Sequence, residues 1–215
     1  MQVLLFLHRL YFFVILNIRN KKTYKMKKII FLFIISSLIS IKGIGLTLSP
    51  ETEVSILTCA PGNELYSLFG HTAIRINDPR HQIDRVYNYG TFDFSTPHFY
   101  LKYARGLLPY QLTVQKFSHF IYNYQLEERT VYAQTIRLDS LEKQRIFDLL
   151  EENLLPQNRY YLYNFLFDNC TTRSRDILLK SLPDSVAWNM PDVNKNFWNL
   201  LDEYLQASPW VQWGI

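Results

Sequence analysis

The chain has 215 residues, 48% apolar and 16% aromatic, enough for one domain with its own core and too apolar for a disordered or fibrous protein. Its first 45 residues hold eight of the 23 basic residues and no acid, so the remainder carries 15 basic against 19 acidic residues, a net charge of −4. A nucleic-acid binder needs its basic excess on the folded domain, and that class is excluded.

In chain order, residues 1–45 read as a targeting leader and 46–215 as one domain. Lys27 and Lys28 follow Met26, and residues 29–41 are almost wholly apolar. A basic start and an apolar run of about 7–15 residues define a secretory signal peptide, with Met26 as the true start. The rival is a membrane segment over residues 3–18, which is short for a span and contains His8 and Arg9. Ser37, Ser40, Gly43 and Gly45 offer small residues for cleavage, without an Ala-x-Ala site. Cys59 lies too far from the apolar run to serve as a lipoprotein anchor. Export places Cys59 and Cys170 in an oxidising compartment, where a disulfide between them is one reading.

Residues 53–59 (EVSILTC) read as a strand closed by Ala60-Pro61-Gly62, and 63–69 as a short helix or turn. Residues 71–76 (HTAIRI) alternate as a half-buried strand, and 85–90 (RVYNYG) return as its hairpin partner. Thr96-Pro97 predicts a helix start, with Thr96 as cap and a stop at Gly106. Residues 110–115 predict a strand, 118–127 a helix, and 129–138 (RTVYAQTIRL) the clearest long strand. Asp139 and Glu142 form a capping-box pattern that opens a helix to about Asn153. Residues 160–167 read as extended, 169–180 as a helix, and 194–205 as a last amphipathic helix. Hairpins mixed with helices, without βαβ alternation, predict an α+β fold with an antiparallel sheet packed by helices. The chain stops at an apolar, aromatic run, where domains ordinarily end polar; a truncated C-terminus is the expectation.

Two segments carry chemistry. In Phe69-Gly70-His71-Thr72, the glycine lets the backbone turn tightly before an exposed imidazole, although a lone histidine is more often a satisfied strand-edge residue. In Asp168-Asn169-Cys170-Thr171, Asn169 is a natural N-cap, so Cys170 falls in the first helical turn, where the helix dipole favours a thiolate. The thiolate is the nucleophilic form. The competing reading is a buried structural cysteine, which is the reading preferred for Cys59. Asp168 and Arg173 read as a helix-end ion pair, and Arg75 and Arg105 as surface or structural residues. His81, His98 and His119 are scattered, and no Cys-x-x-Cys or His-x-x-x-His exists, so no metal site is expected. No phosphate loop, dinucleotide glycine run or Gly-x-Ser-x-Gly occurs, and no cofactor is expected.

Residues Leu57 to Arg75 (LTCAPGNELYSLFGHTAIR), Val86 to Phe94 (VYNYGTFDF), Tyr103 to Gly106, Asn158 to Tyr161 and Phe167 to Arg173 (FDNCTTR) together resemble the Lnb N-terminal periplasmic domain family, typical of Bacteroidetes-type bacteria. The likeness covers roughly residues 53–215. It implies a circularly permuted papain-like, NlpC-type fold, with the histidine strand before the cysteine helix. It also implies a third polar residue that orients the imidazole: Asn88, with Thr91 and Asp93 as rivals. Tyr66 and Ser67, just before His71, are candidate substrate-binding residues. The implied activity is lipoprotein N-acylation, in which an acyl chain passes from a phospholipid donor to the thiol and then to the amino group of a lipoprotein acceptor. The implied place is the periplasm, at the inner-membrane surface. Backbone N–H groups at the start of the Cys170 helix are expected to hold the oxyanion. Two other readings stay open: a cysteine peptidase or amidase acting on cell-wall peptides, and a non-catalytic envelope module with a Cys59–Cys170 disulfide.

Overall fold

The computed structural model describes residues 45–182 and 194–206. The expected leader up to residue 44, its start at Met26 and the apolar chain end lie outside the described residues. From Thr47 onward the described residues belong to one compact unit.

Six strands form one antiparallel sheet: β1 (Glu53–Cys59), β2 (His71–Asp78), β3 (Ile83–Thr91), β4 (Pro109–Lys116), β5 (Val131–Thr135) and β6 (Tyr160–Leu162). Their order is β5-β1-β2-β3-β4-β6. Among the described residues five α-helices accompany the sheet: α1 (Phe99–Ala104), α2 (Phe117–Leu126), α3 (Ser140–Leu154), α4 (Cys170–Ser181) and α5 (Phe197–Leu205), with one short 3-10 turn at Leu65–Ser67. The architecture is α+β, as the mixture of hairpins and helices implies.

Successive side chains on a strand point to opposite faces, and both faces of the central strands are covered. On one face Ile74, Ile76, Tyr87 and Tyr89 pack against Ile146, Phe147 and Leu150 of α3 and Ile177 of α4. On the other, Leu57, Cys59, Ala73 and Val86 pack against Phe120 of α2. The β2–β3 register sets Ile74 opposite Tyr87 and Arg75 opposite Val86. His71 therefore lies two residues before Ala73, and Asn88 two after Val86, at the same end of neighbouring strands.

Three elements depart from the sequence reading. Thr96 is not a helix cap: its N–H bonds Asp93 O in a turn, and α1 begins after His98, which sits at φ 58°. The stop at Gly106 is as expected, with φ +64° and N–H bonds from Gly106 to Tyr103 O and from Leu107 to Lys102 O closing the last turn. The strand expected over 129–138 shortens to Val131–Thr135, because the Arg129 N–H bonds Tyr124 O and its guanidinium turns back to Ala60 O. The extended run expected over 160–167 keeps only Tyr160–Leu162. Beyond it the Asn164 side chain accepts from the N–H groups of Leu166 and Phe167, and Asn164 bridges Asp168, so the aromatic run bends into a turn. The two strongest capping signals form as expected. Asp139 and Glu142 make both bonds of a capping box at 2.8 Å, and Asn169 opens α4.

Candidate functional site

The start of α4 meets the first residue of β2. Asn169 has extended backbone, and its side-chain oxygen accepts from the N–H groups of Thr171 and Thr172, both at 2.9 Å. The Thr172 hydroxyl accepts in return from the Asn169 N–H at 2.8 Å. This reciprocal cap fixes where the helix begins and places Cys170 at its first position. Across from it, Gly70 at φ +72° makes the turn into His71. A Cβ at Gly70 would stand 2.5 Å from Cys59 O, so only glycine fits there. The Thr72 and Thr171 hydroxyls bond each other at 2.9 Å and tie strand to helix directly beside the thiol.

His71 Nε2 lies 3.1 Å from Asn88 Oδ1. An amide oxygen only accepts, so this bond needs the tautomer with its proton on Nε2; the ring also hydrogen-bonds the Cys170 thiol. Burial pushes the Cys170 thiol up, but the hydrogen bond and charge of His71, the Thr72 backbone N–H and the Thr171 hydroxyl outweigh it and hold the thiol below its ordinary range. Cys59 is the opposite case. Burial dominates and pushes it up to about 11, with Tyr124 as hydrogen-bond partner and Arg129 nearby. Both cysteines are free thiols. The Cys59–Cys170 disulfide is thus corrected: Cys59 is taken up by the α2-side core, and Cys170 packs at the edge of the core on the α3–α4 side.

Of the three residues weighed beside His71, the structure brings only Asn88 to the imidazole. It is buried, 4% exposed. The Thr91 hydroxyl donates to Gln111 O at 2.8 Å, and Asp93 accepts from the Ser95 N–H at 2.8 Å in an exposed turn. Tyr66 and Ser67 line a cleft of about 240 Å³ together with His71, Asn88 and Gly90. Ser67 is buried and bonds Glu64 O, whereas Tyr66 is exposed. Asp168 and Arg173 form a two-pronged ion pair at 2.6 and 2.8 Å, as the helix-end reading expects. Arg75 is likewise structural, bonded to Asp84 across the β2–β3 hairpin at 2.7 and 2.9 Å.

The oxyanion expectation is altered by the cap. The N–H groups of Thr171 and Thr172 already donate to Asn169, which leaves Cys170's own N–H as the first-turn donor nearest the sulfur. Gly90, at φ +85°, is a residue that sequence reasoning passed over. A Cβ there would stand 3.7 Å from Cys170 Cβ, 3.9 Å from Tyr161 Oη and 3.9 Å from Tyr163 Cε2. Its bare backbone therefore leaves a notch between the small cleft and the thiol. Thr72 and Thr171 were signalled faintly, since each follows by one residue a member of the His71–Cys170 pair.

A second and larger cleft, about 960 Å³, includes Tyr163, which packs against the same core cluster as Cys170. Its walls include Tyr103, Leu108, Tyr110, Phe197, Trp198 and Leu201. Tyr163 stacks on Tyr110 with centroids 4.5 Å apart.

Fold and site together define an α+β domain with a cysteine at a helix start, a histidine at a strand start and an asparagine behind the histidine. The model of the Lnb N-terminal periplasmic domain matches residues 46–201, and the chain belongs to that family. No curated protein and no solved structure matches it. The family fits a periplasmic location, and no helix among the described residues is long and apolar enough to cross a membrane.

Proposed function

We propose that this chain is an envelope acyltransferase that carries an acyl group on Cys170, taking it from a phospholipid and passing it to the amino terminus of a lipoprotein. The observation that carries this reading is the cleft of about 960 Å³, walled mostly by aromatic and aliphatic side chains, whose Tyr163 packs in the same cluster as Cys170. Its volume is at the upper end of the roughly 300–1,000 Å³ of small-molecule sites, and its walls suit hydrocarbon better than peptide. Papain-like connectivity in permuted order agrees with the histidine strand preceding the cysteine helix. Export by the leader and work at the inner-membrane surface complete the reading.

The chemistry is ping-pong. His71 takes the Cys170 proton. The thiolate attacks the ester carbonyl carbon, a C–S bond forms, and the π pair moves to oxygen. Collapse expels the lysophospholipid alkoxide, which receives the proton from His71. The acceptor amine then attacks the thioester, His71 accepts the amine proton, and the thiolate leaves. Asn88 orients the imidazole ring for this transfer. In cells whose only copy carries Cys170→Ala, lipoproteins are expected to lose one acyl mass from their N-termini by mass spectrometry. An unchanged lipoprotein mass profile contradicts the proposal.

The smaller cleft supports a second reading. Its polar side chains at Ser67, His71, Asn88 and Arg129 suit a cell-wall peptide, on which the same residues would act as a peptidase or amidase. Release of free peptide fragments, with lipoproteins unaltered, distinguishes that reading.

A further inference from the structure

We infer that the Tyr161 hydroxyl is a donor to the oxyanion formed at Cys170, acting across the notch left by Gly90. The inference rests on the reading of Cys170 as a nucleophile. Tyr161 is only 9% exposed, and although the Gly90 backbone interacts with its phenol oxygen, no side chain or carbonyl among the described residues accepts its O–H. It lies beside the Gly90 backbone, 3.9 Å from where a Cβ would stand, and Cys170 Cβ is 3.7 Å from that same point. A buried hydroxyl whose O–H has no acceptor costs about 1–3 kcal/mol, and a catalytic role is one of the reasons such a group is retained.

The surroundings hold this hydroxyl in place. Arg173 lies 3.5 Å over the ring centroid, and its guanidinium is held by two hydrogen bonds to Asp168. Burial keeps the phenol protonated, and the Arg173 cation only partly offsets that effect. Tyr89 packs edge-on against the ring at 6.4 Å. The capped helix start adds to the need for such a donor, because Asn169 occupies the Thr171 and Thr172 N–H groups.

In the step proposed, the thiolate attacks a carbonyl carbon, the C–S bond forms and the carbonyl π pair becomes an oxygen lone pair. That oxygen sits in the Gly90 notch and accepts from the Tyr161 O–H and the Cys170 N–H. Tyr161 keeps its proton throughout. When the tetrahedral centre collapses, the carbonyl re-forms and the hydrogen bonds weaken.

The test compares two reagents on the purified protein. Hexanal adds reversibly to the thiol and places a hemithioacetal oxygen in the notch, whereas iodoacetamide alkylates sulfur without forming an oxyanion. Tyr161→Phe is expected to weaken hexanal protection by about tenfold or more, since an oxyanion donor contributes on that order or above. The iodoacetamide rate and its pH profile are expected to stay at the wild-type values. Tyr89→Phe, which removes a hydroxyl bonded to Asn153 in the same cluster, is expected to leave both reagents unaffected. Equal hexanal affinity in Tyr161→Phe and wild type overturns the inference. So does a parallel loss with both reagents, which marks a packing role. A wild-type thiol inert to iodoacetamide overturns the inference together with the nucleophile reading. If phosphatidylethanolamine vesicles leave no acyl group on Cys170 while hexanal still distinguishes Tyr161→Phe, the lipid reading fails alone and the Tyr161 inference stands.

Discussion

Cys59 and Cys170 are the same side chain in two ends of the same fold, and their surroundings make them opposites. Cys59 ends β1 with its sulfur in the α2-side core, where burial pushes the thiol up to about 11. Cys170 is also largely enclosed, so burial alone does not separate them. What differs is the company: a histidine, a backbone N–H and a threonine hydroxyl all face Cys170, and together they outweigh desolvation. Cys59 has a tyrosine hydroxyl and a more distant arginine, which do not. Two hydrophobic-looking cysteines thus differ in opposite directions, one thiol raised by burial and the other lowered by its neighbours.

The largest expected effect is the contrast in reactivity itself. At pH 7, about one part in ten thousand of Cys59 is thiolate, and Cys170 has far more. Iodoacetamide without denaturant is expected to label Cys170 selectively, read by peptide mass spectrometry. Cys170→Ala removes the label and Cys59→Ala keeps it. Comparable labelling at both positions breaks the comparison.

Smaller changes test what makes Cys170 different. In His71→Ala the contributions of His71 that lower the thiol are removed, while the burial that raises it remains. The midpoint of alkylation against pH therefore moves up, and the rate at pH 7 falls by roughly tenfold or more, each unit being tenfold. Asn88→Ala removes only the bond that orients the ring, worth about 1 kcal/mol, and a loss of roughly fivefold at pH 7 is expected. An alkylation profile unchanged in His71→Ala, or an effect of Asn88→Ala as large as that of His71→Ala, contradicts the roles given to them.

Much of this contrast was legible in the residues. Asn169 before Cys170 signals a helix cap, and caps form from local bonds that need no distant partner. Gly70 before His71 signals a tight turn for the same reason. The Asn88 bond to His71 lies across two strands; the family resemblance, not periodicity, called for a third polar residue, and the hairpin pattern left Asn88, Thr91 and Asp93 as candidates. Tyr161 and Gly90 were beyond reach. Their meeting depends on how β6 pairs with β4 and on a register irregularity between Asn88 and Thr91, neither of which periodicity encodes. The aromatic run 160–167 misled for a related reason. Its residue types favour strands, but Asn164 offers its own oxygen to the following N–H groups and turns the chain.

The most direct test of the acyl-carrier claim is to look for the acyl group on the sulfur. Purified protein incubated with phosphatidylethanolamine vesicles is expected to gain one fatty-acyl mass on Cys170, removable by neutral hydroxylamine and absent in Cys170→Ala. A protein that gains no acyl mass, or gains it at a residue other than Cys170, contradicts the account.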